Sequence, residues 1–242
     1  MALINSHNII KILKDSTHRI CQSLIIITSG ALILFTIRCK KENDSNLIKD
    51  IEGNIYKTVT IGKQIWMAEN LKTSHFNDGT LIPNVTTDIN WGSLTTPAYC
   101  WYNNDEAVFK NTYGALYNWY AVNTGKLCPS GWHVPSLVEW DTLMNFLGGY
   151  LVAGYKMKET GTTHWLKTDS NVTNESGFSA LPGGCRTPGA LFRSLGSEAS
   201  FWSATEFDIN YAWQFFLSSS FGSLHSFHPL KTSGASVRCI KD

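Results

Sequence analysis

The strongest structural signal in this sequence lies in one stretch, Leu127-Cys-Pro-Ser-Gly-Trp-His-Val-Pro-Ser-Leu-Val-Glu-Trp-Asp-Thr-Leu-Met-Asn-Phe-Leu-Gly-Gly149. Pro135 favours an extended backbone just before a helix, and Ser136 with Glu139 three residues later has the spacing of a capping box. Apolar side chains then recur at steps of three and four residues, which predicts one buried helical face, at Leu137, Trp140, Met144 and Leu147. The two glycines that close the stretch end the helix, because glycine tolerates the left-handed backbone of a helix C-terminus.

The composition describes a globular chain with few charges. Of its 242 residues, 43% are hydrophobic, 12% aromatic and 16% charged, whereas roughly 25% are charged in an average domain. This length allows one domain behind a leader, or two small domains. The formal net charge is +1, and because the first 39 residues hold four basic side chains and one acidic one, the remaining chain carries −2. Such a body lacks the basic surface of a nucleic-acid-binding protein, so we expect no nucleic-acid partner.

The N-terminal segment has the order of a secretory signal. Three basic residues, Lys11, Lys14 and Arg19, precede the apolar run at 24–37. A positive segment followed by an apolar core of roughly 7–15 residues is typical of a signal peptide. A membrane-spanning helix needs roughly 20 apolar residues, so a transmembrane anchor is the alternative interpretation of the same run.

Cys39 and the charged residues 40–45 that follow it resemble the lipobox region of bacterial lipoproteins, whose cysteine is lipidated and becomes the mature N-terminus. Arg38 and Thr36 depart from that pattern, which usually has a small residue and a leucine at these positions. The resemblance implies a lipid anchor at Cys39 and an address in the cell envelope, at the outer membrane or the cell surface, with secretion as the alternative. The expected domains are a signal or lipoprotein-type leader at 1–39, a polar tether at 40–48 and one domain at 49–242.

Strand and helix patterns along the globular part indicate an α+β fold. Residues 53–61 alternate and are rich in β-branched side chains, a Gly-Lys turn follows at 62–63, and residues 64–69 return, which predicts a β-hairpin. A helix is predicted over 112–122, where one face collects Tyr113, Leu116, Tyr117 and Tyr120. Short strands are predicted towards the C-terminus, at 201–205, 212–217, 223–227 and 235–240. Two helices followed by short antiparallel strands are typical of this fold class.

Six phrases of the sequence resemble a single bacterial family. In chain order they are Gln64-Ile-Trp-Met-Ala-Glu-Asn-Leu71, Tyr113-Gly-Ala-Leu-Tyr-Asn-Trp119, Cys128-Pro-Ser-Gly-Trp-His-Val-Pro135, Gly177-Phe-Ser-Ala-Leu-Pro-Gly-Gly184, Trp202-Ser-Ala-Thr-Glu206 and Ser236-Val-Arg-Cys239. Together they closely resemble the Fibrobacter succinogenes major paralogous domain, a family of bacterial envelope and secreted proteins. That family has no established biochemical activity, so the resemblance implies an architecture and a cellular address rather than a reaction.

A weaker likeness points to a superfold. The segment Gly131–Trp140 is similar to an element of the formylglycine-generating enzymes, and Val237-Arg-Cys239 is similar to their last strand. Both families belong to the C-type-lectin-like superfold, so the resemblance implies two helices packed on a twisted antiparallel sheet with long irregular loops. It also implies a disulfide between Cys128, at the turn into the central helix, and Cys239, on the last strand, with two buried free thiols as the alternative. Likeness of fold does not transfer chemistry.

Cys100 and Cys185 are the other cysteines of the globular part, and no two cysteines of the chain have the spacing of a zinc or redox motif. A second disulfide between them is compatible with the sequence, which does not fix connectivity. The alternative is that each is buried as a small apolar side chain. The segment around Cys185 also resembles the active-site cysteine region of the formylglycine-generating enzymes, which hold copper with two nearby cysteines. Only one cysteine is present there, so an oxidase-like enzyme is the least favoured interpretation.

The histidines and acidic residues do not predict a metal or catalytic site. His225 and His228 are the one pair with ligand-like spacing, and most such pairs are surface residues. The chain has two acidic pairs, Asp105-Glu106 and Glu206-x-Asp208. It has no Glu-Pro-Asn sequence, the loop with which calcium-dependent lectins bind sugar. No Gly-x-Ser-x-Gly or phosphate-binding loop occurs. We expect no catalytic residue, no cofactor and no catalytic metal. The sequence does not decide whether a structural calcium ion is bound.

Aromatic residues in the loops offer a surface for carbohydrate, because sugar rings stack on ring faces while amides and carboxylates bond their hydroxyls. We predict that Trp91, Trp101 and Trp165 are exposed and bind ligand, from a wider set that includes Trp213. The alternative is core packing, which is the expected role of the tryptophans in strands and helices.

The sequence therefore predicts a non-enzymatic surface binding module whose partner is a glycan or another envelope polymer. A structural or protein–protein adhesion component, with an envelope protein as its partner, is the second interpretation, since the same loops serve it equally well. The oxidase-like enzyme is the third.

Overall fold

The computed structural model describes residues 46–242, with the backbone alone at 89–90, and four short strands before them: β1 (Lys11–Asp15), β2 (Arg19–Ser23), β3 (Ile25–Thr28) and β4 (Ala31–Leu34). β1 pairs antiparallel with β2, and β3 pairs antiparallel with β4. Cys39 and the tether up to Ser45 lie outside the described residues, so the lipid anchor stays a prediction. The chain divides into two units, Met1–Ser45 and Asn46–Asp242, and all features below belong to the second.

The second unit mixes helices with mainly antiparallel sheet, which confirms the α+β class. Its strands are β5 (Leu47–Lys49), β6 (Ile55–Ile61), β7 (Gln64–Met67), β8 (Tyr99–Cys100), β9 (Leu116–Tyr117), β10 (Trp132–His133), β11 (Gly183–Arg186), β12 (Phe192–Leu195), β13 (Glu198–Glu206), β14 (Ala212–Ser218), β15 (His225–Phe227) and β16 (Ile240–Lys241). Its helices are α1 (Asp88–Trp91), α2 (Glu106–Tyr113), α3 (Trp119–Val122), α4 (Leu137–Phe146) and α5 (Ala153–Met157), with a 3-10 turn at Tyr102–Asn104. None of the helices in the described part of the chain has the length and apolar character needed to cross a membrane.

The first five-stranded sheet brings the first and last strands of the second unit together. Its strand order is β10-β16-β7-β6-β5. The predicted hairpin is confirmed, because β6 and β7 pair antiparallel with Val59 opposite Trp66. Gly62 has the positive φ of 62° that the two-residue turn requires. On the other side of β7, Ile240 of β16 pairs with Trp66, so the end of the chain completes this sheet.

The second five-stranded sheet has the order β12-β11-β13-β14-β15. Its pairs are antiparallel except for β11 with β13, which is parallel. Phe201 of β13 and Phe215 of β14 are paired in register and enter the core. The register shifts between Trp202 and Glu206, and a bulge of this kind bends the end of a hairpin. The sequence predicted β13, β14 and β15 with small shifts at their ends, and it missed β11 and β12.

Helix α4 confirms the prediction made from the opening stretch. Ser136 caps it: the Ser136 hydroxyl accepts from the N–H of Glu139 at 3.4 Å, and the N–H of Ser136 donates to the Glu139 carboxylate at 2.8 Å. Trp140 and Leu143 are its buried residues. The Trp140 ring stacks on Phe215 with ring centres 4.9 Å apart, so the helix packs on the second sheet.

The helix predicted over 112–122 is wrong. Helix α2 ends at Tyr113, Gly114 turns the chain with a φ of 72°, and β9 and α3 follow. A side chain at Gly114 would meet the carbonyl oxygen of Leu71 at 2.6 Å. Asn118 then caps α3 by accepting from the N–H of Ala121 at 3.1 Å. Contacts with distant segments therefore override the helical pattern of the local sequence.

The disulfide between Cys128 and Cys239 is confirmed. It joins the segment that leads into α4 to the residue before β16, with a sequence separation of 111. Both cysteines are buried in the same core cluster. In the chain-entropy model, closing a loop of about this length lowers the conformational entropy of the unfolded state. This stabilises the folded state by roughly 4–5 kcal/mol.

A buried arginine shows what several of the six phrases do in the fold. The Arg238 guanidinium donates to Asn70 Oδ1 at 2.8 Å, to the carbonyl oxygen of Ser179 at 2.9 Å, and to the carbonyl oxygen of Phe178. It lies over the Phe178 ring, 4.3 Å from the ring centre. Asn70, the Phe178-Ser179 pair and Arg238 come from three different phrases, so those phrases specify core packing.

Candidate ligand-binding surface

The three tryptophans predicted to be exposed are buried, so that prediction is wrong. Trp91, Trp101 and Trp165 expose 0%, 2% and 2% of their surface. A ring face without exposure cannot stack on a ligand in this structure. The residues around each tryptophan are typical of loops. They indicate an irregular backbone, but they do not indicate whether the loop folds back over the core.

A cation covers each of these three rings. Arg186 lies 4.5 Å from the ring centre of Trp91, Lys110 lies 5.2 Å from that of Trp101, and Lys158 lies 5.6 Å from that of Trp165. A cation within about 6 Å of a ring centre is attracted by the electron-rich face. The faces that the sequence suggested for sugar stacking are therefore occupied by internal cation–π contacts.

Cys100 and Cys185 are free thiols, so the second disulfide considered from the sequence does not form between these described residues. Burial raises the pKa of Cys100 to about 12 and that of Cys185 to about 11. Both thiols are therefore protonated at neutral pH, whereas the thiolate is the form that attacks or binds a metal. Across residues 46–242, no group of three or more His, Cys, Asp or Glu side chains could hold a metal ion.

Four aromatic side chains form a cluster at the tip of the β13–β14 hairpin, which we call the aromatic platform: Phe207, Tyr211, Trp213 and His228. Phe207 and His228 stack with ring centres 3.8 Å apart and planes inclined by 3°. Trp213 meets each of them edge-on at 5.4 Å, and Tyr211 meets His228 edge-on at 6.2 Å. Trp213 is half-buried and the other three side chains are exposed.

Hydrogen bonds fix the turn that carries the platform. Asp208 Oδ1 accepts from the N–H of Asn210 at 2.8 Å and from the N–H of Tyr211 at 2.9 Å. The N–H groups of Phe207 and Asp208 donate to the carbonyl oxygen of Tyr211 at 3.0 and 3.1 Å. An aspartate that bonds the backbone two and three residues ahead is a common device for holding a tight turn. The platform rings therefore project from an ordered backbone.

A buried lysine, Lys231, is hydrogen-bonded to the same turn. Lys231 donates to the Glu206 carboxylate and, at 2.8 Å, to the carbonyl oxygen of Ile209. Its ammonium group lies 4.7 Å from the ring centre of the core residue Trp119. The lysine therefore ties both sides of the turn to the core, which reduces the ordering cost of binding a ligand there.

Polar groups stand beside the platform rings. Asp208 uses Oδ1 in the turn, which leaves Oδ2 without a hydrogen bond among the described residues, and the amide of Asn210 is exposed. Ile209, between them, exposes 83% of its surface. Ring faces next to an amide and a carboxylate provide both stacking and hydrogen bonds, as the sites of ring-shaped polar ligands do.

The histidine pair with ligand-like spacing does not converge on a common point. The His225 ring contacts the Tyr150 hydroxyl at 2.6 Å and the Ser223 hydroxyl at 2.7 Å. His228 instead stacks in the platform. Burial lowers the pKa of His225. The two imidazoles therefore serve packing and hydrogen bonding at separate positions.

A polar groove of about 360 Å³ lies away from the platform residues. Its ionisable lining residues are Lys57, Glu69, Lys72, Glu159 and His164. His164 Nδ1 and Glu159 Oε2 are 2.7 Å apart, and the His164 ring is in edge contact with Tyr113. The groove offers charges and hydrogen bonds without an open aromatic face, so the platform fits a ring-shaped ligand better.

Sequence reasoning found only part of the platform. It placed Trp213 in the wider set of loop aromatics, noted the acidic residues Glu206 and Asp208, and considered His228 only as a metal ligand. It missed Phe207 and Tyr211. The signal that would have found them is Phe207-Asp-Ile-Asn-Tyr211, a turn sequence with an aromatic residue at each end, lying between two predicted strands.

A comparison with known families identifies a match. The sequence pattern of the family described as the Fibrobacter succinogenes major domain matches residues 59–241, a range that contains the five helices, the disulfide and the aromatic platform. Neither a curated protein nor a solved structure matches the chain significantly. The chain belongs to the Fibrobacter succinogenes major domain family.

Proposed function

We propose that this protein is a non-enzymatic binding module of the bacterial cell envelope, and that it recognises a glycan or another envelope polymer through the aromatic platform. One observation carries the proposal: the rings of Phe207, Tyr211 and Trp213 gather at the surface of an ordered turn, beside the side chains of Asp208 and Asn210. Large exposed apolar surfaces with polar neighbours are typical of binding sites.

The chemistry of a sugar matches this arrangement. A sugar ring has apolar C–H faces and a polar edge of hydroxyl groups. The platform supplies ring faces for the first, while the free carboxylate oxygen of Asp208 and the amide of Asn210 supply partners for the second. Because Lys231 and the Asp208 turn already hold the backbone in place, a ligand does not have to order it.

The envelope address and the finer fold class belong to the same proposal. The order of the leader, with basic residues, an apolar run and Cys39, supports export and a lipid anchor. The Cys128–Cys239 disulfide supports an oxidising compartment, where such bonds persist. A C-type-lectin-like fold is supported by this link between the segment that leads into α4 and the residue before β16, and by the presence of β5 and β16 in one sheet.

Binding of the purified chain to immobilised polysaccharides and to a glycan array tests the proposal. We expect at least one glycan to bind, and we expect Phe207→Ala and Trp213→Ala each to weaken that binding by about five- to tenfold, the effect of one lost stacking contact. Phe146→Ala is the matched control, because Phe146 is also an exposed phenylalanine, on α4 outside the platform.

Two results would count against the proposal. Failure of the folded wild-type chain to bind any polysaccharide would remove the glycan as ligand. Equal losses for Phe207→Ala and Phe146→Ala would remove the platform as its site. Circular dichroism and thermal unfolding of each variant separate lost binding from lost folding.

A protein partner is the second candidate, and one observation favours it. The apolar surface extends beyond the platform to Ile209 and Leu230, which are both exposed. A broad patch of this kind also suits a protein interface, whose centre is enriched in aromatic residues. Crosslinking on intact cells distinguishes the two, because an adhesion component is recovered with one envelope protein and loses that partner on Phe207→Ala.

A further inference from the structure

A second cavity, of about 300 Å³, lies against the second sheet and shares no residue with the aromatic platform. Gln214 of β14 lines it, whereas the next residue, Phe215, belongs to the core. Because neighbouring residues of a strand point to opposite faces, the cavity lies on the face of the sheet that is turned away from that core cluster. Cys185, Phe227 and Pro229 form further parts of its wall.

Gln214 is a buried amide without a full set of partners. Its exposed fraction is 2%, and its Nε2 has no hydrogen-bond partner anywhere in residues 46–242. Its cross-strand neighbours are Trp202 and Phe227, whose rings offer no strong acceptor. A buried amide of this kind is unfavourable unless something bonds it. A half-turn of the amide exchanges its nitrogen and oxygen, so it can present a donor or an acceptor to the cavity.

Three charged side chains line the same cavity, and one of them, Arg186, is already bonded to Asp88 at 2.9 Å and to backbone carbonyl oxygens. The other two carry opposite charges. Arg193 stands opposite Cys185 in the β11–β12 pair, and Glu198 begins β13. Neither makes an ion pair or a side-chain hydrogen bond with any described residue. Burial raises the pKa of the Cys185 thiol, Glu198 raises it further and Arg193 lowers it. Both charges therefore act on one wall of the cavity while remaining unpaired.

We propose that this cavity binds a small zwitterion, an amino acid or a short peptide with an apolar side chain. The ligand carboxylate pairs with Arg193 and its ammonium group pairs with Glu198. The apolar side chain packs against Phe227 and Pro229, and Gln214 bonds a polar atom of the ligand backbone. The cavity volume lies at the lower end of the roughly 300–1,000 Å³ that is usual for small-molecule sites, which suits one or two residues.

The charges distinguish this ligand from the one proposed for the platform. A neutral sugar offers neither a carboxylate to Arg193 nor an ammonium group to Glu198. A zwitterion satisfies both charges at once, and guanidinium–carboxylate pairs are among the stronger charge-assisted hydrogen bonds. The two sites therefore take different chemical classes.

Calorimetry and ligand-observed NMR on the purified chain test the proposal with L-phenylalanine and L-leucine as probes. Two analogues each lack one charge: 3-phenylpropionate has no ammonium group and phenethylamine has no carboxylate. We expect at least one amino acid to bind with a dissociation constant of roughly 1 mM or below, and we expect both analogues to bind more weakly than L-phenylalanine.

Variants then assign each charge. Arg193→Met should weaken amino-acid binding by about fivefold and leave the binding of phenethylamine unchanged, because phenethylamine has no carboxylate. Glu198→Gln should also weaken amino-acid binding by about fivefold. It should leave the binding of 3-phenylpropionate unchanged, because that analogue has no ammonium group. Both residues lack intramolecular partners, so neither change should unfold the protein. Lys63→Met, which removes an exposed cation in the β6–β7 turn, is the control and should have no effect.

The proposal is overturned if neither amino acid binds at about 10 mM, or if Arg193→Met and Glu198→Gln bind as tightly as Lys63→Met. Phe207→Ala should leave amino-acid binding intact, so failure of the platform proposal and failure of this one are distinguishable.

Discussion

His133 Nδ1 and Asp242 Oδ1 lie 2.6 Å apart, and Nε2 of the same ring lies 2.8 Å from Glu139 Oε1. One imidazole therefore joins the C-terminal residue of the chain to the capping box of α4. Burial on its own lowers the pKa of His133, but the hydrogen bonds to Asp242 and Glu139 outweigh it, so the pKa is raised. The protonated ring is the form that both carboxylates favour.

The contact predicts a pH dependence of stability. Because the folded pKa of His133 is above the unfolded value of about 6.5, the stabilisation is fully present below about pH 6.5 and is lost as the pH rises through the folded pKa. The effect should be modest and sensitive to salt, since the three side chains are partly exposed.

Urea unfolding between about pH 5.5 and pH 8.5 measures this dependence. The wild type should lose more stability over the interval than His133→Gln, which cannot titrate. Parallel pH profiles for the two proteins would show that this histidine contributes nothing to the dependence.

Removal of the disulfide should be strongly destabilising. Replacing Cys128 and Cys239 together by Ala is expected to lower the free energy of unfolding by about 4–5 kcal/mol, because the bond closes a loop of 111 residues. Denaturant titration of the double variant and of the wild type under oxidising conditions provides the comparison. Alkylation of both thiols in the native wild type without reductant would contradict the bond itself.

Helix α4 offers a matched pair of substitutions. Trp140→Ala should cost about 3–5 kcal/mol, because the ring is fully buried and packs against Phe215 and Trp66. Val138→Ala, on the same helix and 71% exposed, should change stability by no more than about 0.5 kcal/mol. Denaturant titration gives both values, and equal losses would show that α4 does not pack on the second sheet.

The proposed lipid anchor at Cys39 predicts a covalent modification. Cells grown with a radioactive fatty acid should label the wild-type protein, and Cys39→Ala should abolish the label because no other residue is expected to receive it. Membrane fractionation of the same strains should then release the variant protein. Label that persists in Cys39→Ala, or no label in either protein, would reject the anchor.

The parts of the fold that could be predicted from the sequence are those specified locally. Three features are each determined by one short segment of sequence: the Ser136–Glu139 capping box, the turn at Gly62 and the alternation of residues 55–61. The likeness to the C-type-lectin-like superfold added the Cys128–Cys239 link, which spacing alone would have left open.

The parts that were wrong depend on distant partners. The pattern over 112–122 was helical, yet the close approach of Gly114 to Leu71 and the pairing of Tyr117 with Ala235 break it into three elements. The burial of Trp91 depends on Arg186, almost a hundred residues away. Composition within a loop carries no information on such a partner, which is why the candidate surface moved to the β13–β14 hairpin.

The strand order of the first sheet has a consequence for how this unit can be combined with other proteins. β5 and β16 are separated only by β7 and β6, so polypeptide enters and leaves the domain at points roughly 14 Å apart, three strand spacings. A fold whose two junctions are neighbours can be spliced between unrelated sequences, or repeated in tandem, without disturbing its interior. Such an architecture is suited to being copied and redeployed as a self-contained cassette.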